Sequence, residues 1–80
     1  MNPVEARVKQ IVATITKRDA SVIRLDMKFE GDLSMDSLTV VEMMMALEEA
    51  FAVDIPMQAT QRMITVRDAV EFIHSATQSG

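Results

Sequence analysis

Few side chains in this sequence could carry out covalent chemistry. The 80 residues include one histidine, His74, and no cysteine. A lone histidine without a paired nucleophile or a metal partner fits a surface or rim position better than a catalytic one. The chain also lacks the Asp-x-Asp-x-Asp-Gly pattern of a calcium loop. We therefore expect neither a hydrolase nor a metal-dependent enzyme, and no catalytic or metal-binding residue.

The acidic residues are the other distinctive group, because they are concentrated in the middle of the chain. Positions 29–61 hold seven acids and no lysine or arginine, a charge of -7, whereas the rest holds five acids and eight bases, a charge of +3. A solvated charged face would explain this on composition alone. An acidic centre also repels nucleic acid and attracts a basic protein surface. We expect no nucleic-acid partner.

Length limits the role that the chain can have. A domain of this size buries only about 60% of its unfolded surface, so a binding or carrying role fits better than a catalytic cleft. Charges at Glu5, Arg7 and Lys9 interrupt the N-terminal segment, and we expect neither a signal peptide nor a membrane span. The absence of cysteine gives no sign of an oxidising compartment, which favours the cytoplasm.

The elements that must position the acids are helices. Asn2, Pro3 and Glu5 are typical of a helix start, and valine and isoleucine then recur at helical spacing. Lys17 suits the negative end of the helix dipole. The pattern predicts a first helix over about residues 3–17.

The segment after the first helix is ambiguous. From Ile23 to Glu30, apolar and charged residues alternate, which by period alone predicts a half-buried strand. No second alternating run exists to pair with it, and an unpaired strand is not stable in a small domain. We predict a long ordered loop whose apolar residues pin it across the helices, with a short helix as the alternative.

A helix over residues 36–51, capped by Asp36, is the clearest prediction. Steps of 100° per residue divide it into two faces. The expected core face holds Val40, Met43, Met44, Leu47 and Phe51. The opposite face is apolar and acidic, and it holds Leu38, Val41, Glu42, Met45, Glu48 and Glu49.

The acids on that second face have no lysine or arginine four residues away that could pair with them. Glu48 and Glu49 also lie near the C-terminal end of the helix, where each negative charge opposes the dipole at a cost of about 0.3 kcal/mol. An apolar strip rimmed by unpaired acids indicates a docking surface for a basic, partly apolar partner.

Two shorter elements complete the chain. A segment over about 57–63 predicts one or two helical turns. Thr65 and Asp68 form a capping box that predicts a last helix over about 65–76. The predicted fold class is all-α.

The segment from Leu33 to Leu38, with the central tripeptide Asp36, Ser37 and Leu38, resembles the attachment motif of acyl carrier proteins. Residues in the same register match this family on both sides of the motif. They are Val41, Glu42, Ala46, Leu47, Glu48, Glu49, Phe51, Ile55, Pro56, Thr65, Val66, Ala69 and Ile73. The resemblance covers nearly the whole chain. It implies a single carrier domain over 1–80, a monomer, folded as a four-helix bundle with a long first loop and a short third helix.

The resemblance also implies a function, that of a non-catalytic acyl carrier. In this family a phosphopantetheinyl transferase moves 4′-phosphopantetheine from coenzyme A onto the serine that matches Ser37. Acyl groups are then bound as thioesters to the thiol of this phosphopantetheine arm. A helix N-terminus suits the phosphodiester, because free N–H groups and the dipole favour an anion. Asp36 is implied as a transferase contact as well as a helix cap.

The remaining implied partners are an acyl-activating ligase, a ketosynthase or an acyltransferase with a basic docking surface, from fatty-acid, lipid or polyketide-type biosynthesis. The residues implied to meet them are Leu38, Val41, Glu42, Met45, Glu48 and Glu49. The alternatives are an aminoacyl- or peptidyl-type carrier, and an unmodified acidic interaction module in which Ser37 only begins a helix.

The sequence departs from housekeeping fatty-acid carriers at several positions. Ser34 stands where they usually have glycine, and Met35 stands where they have a small residue. Uncharged residues replace acids at Thr39, Ala50, Met57, Gln58 and Gln61. Because electrostatic complementarity governs partner choice, the resemblance implies a specialised carrier with a dedicated partner enzyme.

Overall fold

The computed structural model describes residues 3–78, which fold into helices joined by ordered loops. The helices are α1 (Pro3–Thr16), α2 (Ser37–Phe51), α3 (Met57–Arg62) and α4 (Val66–Gln78), with a 3-10 turn at Ala20–Val22 in the first loop. The predicted all-α class, with a long first loop and a short third helix, is confirmed. α4 extends two residues beyond its predicted end, and Asn2, the predicted cap of α1, lies outside the described residues.

Residues with left-handed backbone conformation end the two longest helices. Lys17 has φ 58°, and Arg18 N–H donates to the Ala13 carbonyl at 2.9 Å, so α1 ends at Thr16, one residue earlier than predicted. Ala52, with φ 54°, ends α2 in the same way. Glycine is the usual residue in this type of cap, because a side chain strains the left-handed region.

The core lies between α1, α2, α4 and the first loop. Its residues of 0% exposure are Val8, Val12, Met43, Leu47, Val66, Ala69 and Ile73. α3 differs from the other helices, because none of its six residues is buried. The buried residues that flank it, Ile55 and Met63, attach α3 to the core.

The second half of the first loop lies against the residues that begin α4. Backbone hydrogen bonds of 2.9 to 3.0 Å run from Phe29 to Ile64, from Val66 to Met27 and from Arg67 to Leu25. The alternation seen in the sequence is real. Ile23 and Phe29 are buried, whereas Arg24, Asp26, Lys28 and Glu30 are exposed. The segment forms one isolated antiparallel bridge, between Lys28 and Thr65, and is not a strand, so the prediction of a pinned loop is confirmed.

Candidate attachment site and docking face

Asp36 fixes the start of α2. Its backbone is extended, and its Oδ1 accepts a hydrogen bond from the Thr39 N–H at 2.8 Å. Hydrogen bonds from the side chain and the backbone N–H of Thr39 lower the pKa of Asp36 below its usual value, so the cap is a carboxylate at neutral pH. Ser37 is therefore held as the first residue of α2, and its side chain is exposed.

The N–H groups of the first turn are only partly used. Thr39 N–H bonds the Asp36 side chain and Val40 N–H bonds the Asp36 carbonyl. Within residues 3–78, the N–H groups of Ser37 and Leu38 have no hydrogen-bond acceptor. Free donors at a helix N-terminus favour a negatively charged group.

A tightly hydrogen-bonded loop leads to Asp36. Lys28 N–H donates to Asp32 Oδ2 at 2.9 Å, and Met35 N–H donates to the Phe29 carbonyl at 2.9 Å. Ser34 adopts φ 55° within this loop. Glycine adopts this conformation without strain, in agreement with the glycine that the resemblance implies at this position. The following residue, Met35, is buried in the core.

A cleft of about 450 Å³ opens beside Ser37, between α2, α3 and the first loop. Its apolar lining consists of Phe29, Val40, Val41, Met57, Met63 and Ile64. The other lining residues are Gly31 and the polar residues Lys28, Glu30, Ser37, Thr60 and Gln61. A mostly apolar cleft can hold a flexible apolar group that is linked to the adjacent hydroxyl.

The outward face of α2 carries the other predicted site residues. Leu38 is 67% exposed and Met45 is 56% exposed, with Val41 between them at 36%. Glu42 and Glu49 are exposed as well, and no ion pair engages either of them within residues 3–78. We define the docking face as Leu38, Val41, Glu42, Met45 and Glu49.

Glu48 differs from the other acids of α2. It is half-buried, and its Oε2 accepts a hydrogen bond from the backbone N–H of Ile55 at 2.7 Å. One oxygen of this carboxylate is therefore used inside the molecule, at the end of the loop that leads to α3.

His74 lies exposed on α4, away from the residues that line the cleft. Over residues 3–78, histidines and acids form no group of three or more that could hold a metal ion. Within the same range, each helix is too short or too polar to cross a bilayer.

Comparison with known proteins identifies the family. Residues 6–73 match the family described as "Phosphopantetheine attachment site". The chain belongs to this family. It is also similar to a solved structure of an acyl carrier protein from Enterococcus faecalis, with 27% identity, a TM-score of 0.78, and coverage of 91% of this chain and 92% of that chain. The chain is a non-catalytic carrier domain, and its cofactor is covalently attached 4′-phosphopantetheine.

The residues of this carrier domain fit such an arm. Ser37 is exposed, the free N–H groups of Ser37 and Leu38 can donate hydrogen bonds to a phosphodiester, and the cleft begins beside them. The arm supplies a thiol that the chain itself lacks, since the sequence has no cysteine.

Two features of the site were missed from the sequence. The cleft was missed because its walls come from three separate segments, which only the tertiary fold brings together. The bond between Glu48 and Ile55 was missed because it crosses the end of α2. The lack of a cation near Glu48 in the sequence is the one available signal, and the docking role that it predicts for Glu48 stays a prediction, because the hydrogen bond uses only one carboxylate oxygen.

Proposed function

We propose that Ser37 carries the phosphopantetheine arm, and that the carrier presents acyl intermediates to a dedicated partner enzyme in fatty-acid, lipid or polyketide-type biosynthesis. The observation that carries this proposal is the exposed Ser37 hydroxyl, beside the apolar cleft and at the start of α2. Of the serines within residues 3–78, Ser37 alone lines the cleft. The others are Ser21, Ser34 and Ser75.

The attachment reaction requires a separate transferase. Ser37 Oγ forms a bond to the phosphorus atom that bears the pantetheine of coenzyme A, and the pyrophosphate bond of coenzyme A breaks. Adenosine 3′,5′-bisphosphate leaves, and the hydroxyl proton passes to a base of the transferase. Ser37 is thus a modified residue that needs no histidine beside it. Asp36 holds Ser37 at the helix start and offers a carboxylate to a basic group of the transferase.

The docking face is proposed to meet basic partner surfaces. The exposed apolar side chains of Leu38, Val41 and Met45 provide area to bury, and Glu42 and Glu49 provide steering toward lysine and arginine. The partners proposed are the transferase and an acyl-activating ligase, ketosynthase or acyltransferase. We also propose that the carrier acts in the cytoplasm, where coenzyme A supplies the arm.

The composition of α3 supports a specialised carrier. Its sequence, Met57–Arg62, contains no acid and one base, Arg62. Met57, Gln58 and Gln61 are exposed at positions where housekeeping carriers have acids. A partner whose basic groups contact acids on both α2 and α3 of a carrier would therefore bind this one less well than a partner that contacts acids on α2 alone.

The proposed attachment residue is tested by incubating the purified chain with coenzyme A and a promiscuous phosphopantetheinyl transferase. Intact mass and a thiol titration are then measured for the wild type, for Ser37→Ala and for the control Ser34→Ala. We expect one phosphopantetheinyl group and one thiol on the wild type and on Ser34→Ala, and neither on Ser37→Ala. Modification of folded Ser37→Ala, or none of the folded wild type, would contradict the proposal.

A further inference from the structure

Glu48 is the one acidic residue of α2 whose side chain accepts a hydrogen bond from the loop that follows the helix. The bond from Ile55 N–H is 2.7 Å long and partly buried. Ile55 is 7% exposed and packs in the core. A hydrogen bond to a charged acceptor, partly shielded from water, is stronger than one between neutral groups. Glu48 therefore holds the residue that attaches the start of α3 to the core.

Other attachments of α3 are few. No residue of Met57–Arg62 is buried, and its cap residue, Pro56, makes no side-chain hydrogen bond to the first turn. Ile55 at one end and Met63 at the other are the buried residues next to the helix, and within the helix the partly buried Ala59 packs against the core. A six-residue helix held in this way depends on the positions of its two ends.

α3 forms a wall of the cleft beside Ser37. Met57, Thr60 and Gln61 line the cleft from α3, and Val40 and Val41 line it from α2. A displacement of Ile55 would move Met57, two residues later, toward or away from α2. The position of Ile55 therefore bears on the width of the space next to Ser37.

We propose that Glu48 is a positioning residue for this cleft, and that its carboxylate sets the place of α3 through Ile55. Glu49 provides the contrast, because it has the same charge one position later and its side chain makes no hydrogen bond or ion pair within residues 3–78. Glu49 therefore serves the docking face, whereas Glu48 governs the space available to the arm and its cargo. The statement about cargo rests on the proposed function, but the statement about α3 does not.

Three variants separate these roles. Glu48→Ala removes the charge and the acceptor, Glu48→Gln keeps an amide oxygen that can accept from Ile55, and Glu49→Ala is the matched control. Hydrogen exchange of the Ile55 amide and the methyl NMR signals of Met57 and Met63 are measured on the unmodified protein. The rate at which hydroxylamine cleaves an octanoyl thioester, loaded from octanoyl coenzyme A, is measured on the modified protein.

We expect Glu48→Ala to raise Ile55 amide exchange by about tenfold, the effect of losing one charge-assisted hydrogen bond. It should also shift both methyl signals and speed thioester cleavage. Glu48→Gln should stay within about threefold of the wild type in exchange, and Glu49→Ala should change none of these readouts. Circular dichroism checks that each variant is folded.

Two results would overturn the proposal. In the first, Glu48→Ala leaves both the exchange rate of the Ile55 amide and the methyl signals of Met57 and Met63 unchanged. The other is an equal response in Glu49→Ala, which would indicate a general effect of charge. If the wild type cannot be loaded with the octanoyl arm, the proposed function fails, while the measurements on the unmodified protein still decide the role of Glu48 in placing α3.

Discussion

Asp68 Oδ2 accepts a hydrogen bond from the backbone N–H of Ile64 at 2.9 Å. The same oxygen accepts from Thr65 N–H at 3.0 Å, and Thr65 Oγ1 accepts from Asp68 N–H at 3.2 Å. This is the capping box predicted from the sequence, with one further N–H held by the carboxylate. It fixes the segment against which the first loop pairs.

The free energy of unfolding should depend on pH through the ionisation of Asp68. Burial raises the pKa of Asp68, but hydrogen bonds from Ile64 and Thr65, together with the charge of Arg67, lower it more, so the pKa of Asp68 in the folded protein lies below its usual value. Its contribution to folding is therefore complete well above pH 3.8 and is lost as pH falls through the lowered pKa of the folded state.

We expect Asp68→Ala to reduce the free energy of unfolding at pH 7 by about 1 kcal/mol, and to remove part of the acid dependence. Urea unfolding at neutral and acidic pH measures both effects. Glu71→Gln, which removes a charge from an exposed position on the same helix, is the control. An Asp68→Ala protein as stable as Glu71→Gln at pH 7 would contradict the assigned role of the cap.

Ser34→Gly should stabilise the protein. Ser34 adopts φ 55°, a region that costs a residue with a side chain about 1 kcal/mol, and part of the gain is offset by the greater freedom of glycine in the unfolded chain. We expect a net gain of about 0.5 kcal/mol in chemical denaturation. Ser75→Gly, in the regular part of α4, should lose about 1 kcal/mol instead. A loss in Ser34→Gly would show that the serine side chain makes a compensating contribution.

The three consecutive methionines Met43, Met44 and Met45 allow the same substitution to be compared at a buried and at an exposed position. Met43 has 0% exposure and Met45 has 56%. Met43→Ala should therefore cost about 3 kcal/mol, whereas Met45→Ala should change stability by less than about 0.5 kcal/mol. Thermal and urea unfolding measure the difference. Similar losses in both variants would place Met45 in the core and remove it from the docking face.

The docking face should act through charge. Glu49→Gln is expected to lower kcat/KM of the transferase by about threefold at low salt, because an exposed ion pair contributes up to about 1 kcal/mol. The difference should shrink in high salt, which screens exposed charges. Glu71→Gln on α4 removes the same charge elsewhere and should leave the rate unchanged. Equal effects of the two substitutions would indicate net charge instead of a local contact.

The helices could be predicted because their signals are local. The spacing of Val40, Met43 and Leu47 identifies the buried face of α2, and Asp36 identifies its start. The left-handed conformation of Ser34 could not be read from the residue itself, because serine does not favour that region. It follows from hydrogen bonds made by neighbouring loop residues.

The role of Glu48 shows a second limit of prediction. Its position near the end of a helix, without a nearby cation, fits both a docking acid and a loop anchor. The return of the chain at Ile55 provides the hydrogen bond on which the proposed anchor role rests, and the docking role of Glu48 stays a prediction. Equally, the alternating loop segment has no partner strand in the sequence, because its partner is the short backbone stretch before α4.

The bonds between that loop and the start of α4 also bear on how the chain folds. Phe29 and Ile64 are 35 positions apart in the sequence and Met27 and Val66 are 39 apart, yet each pair is joined by a backbone hydrogen bond. Contacts between distant residues form only after the intervening chain has lost entropy, and they slow folding relative to local helical contacts. We therefore expect α1 and α2 to acquire helical structure first. Closure of the loop onto α4 would then be the late step, which makes this junction the place where unfolding begins.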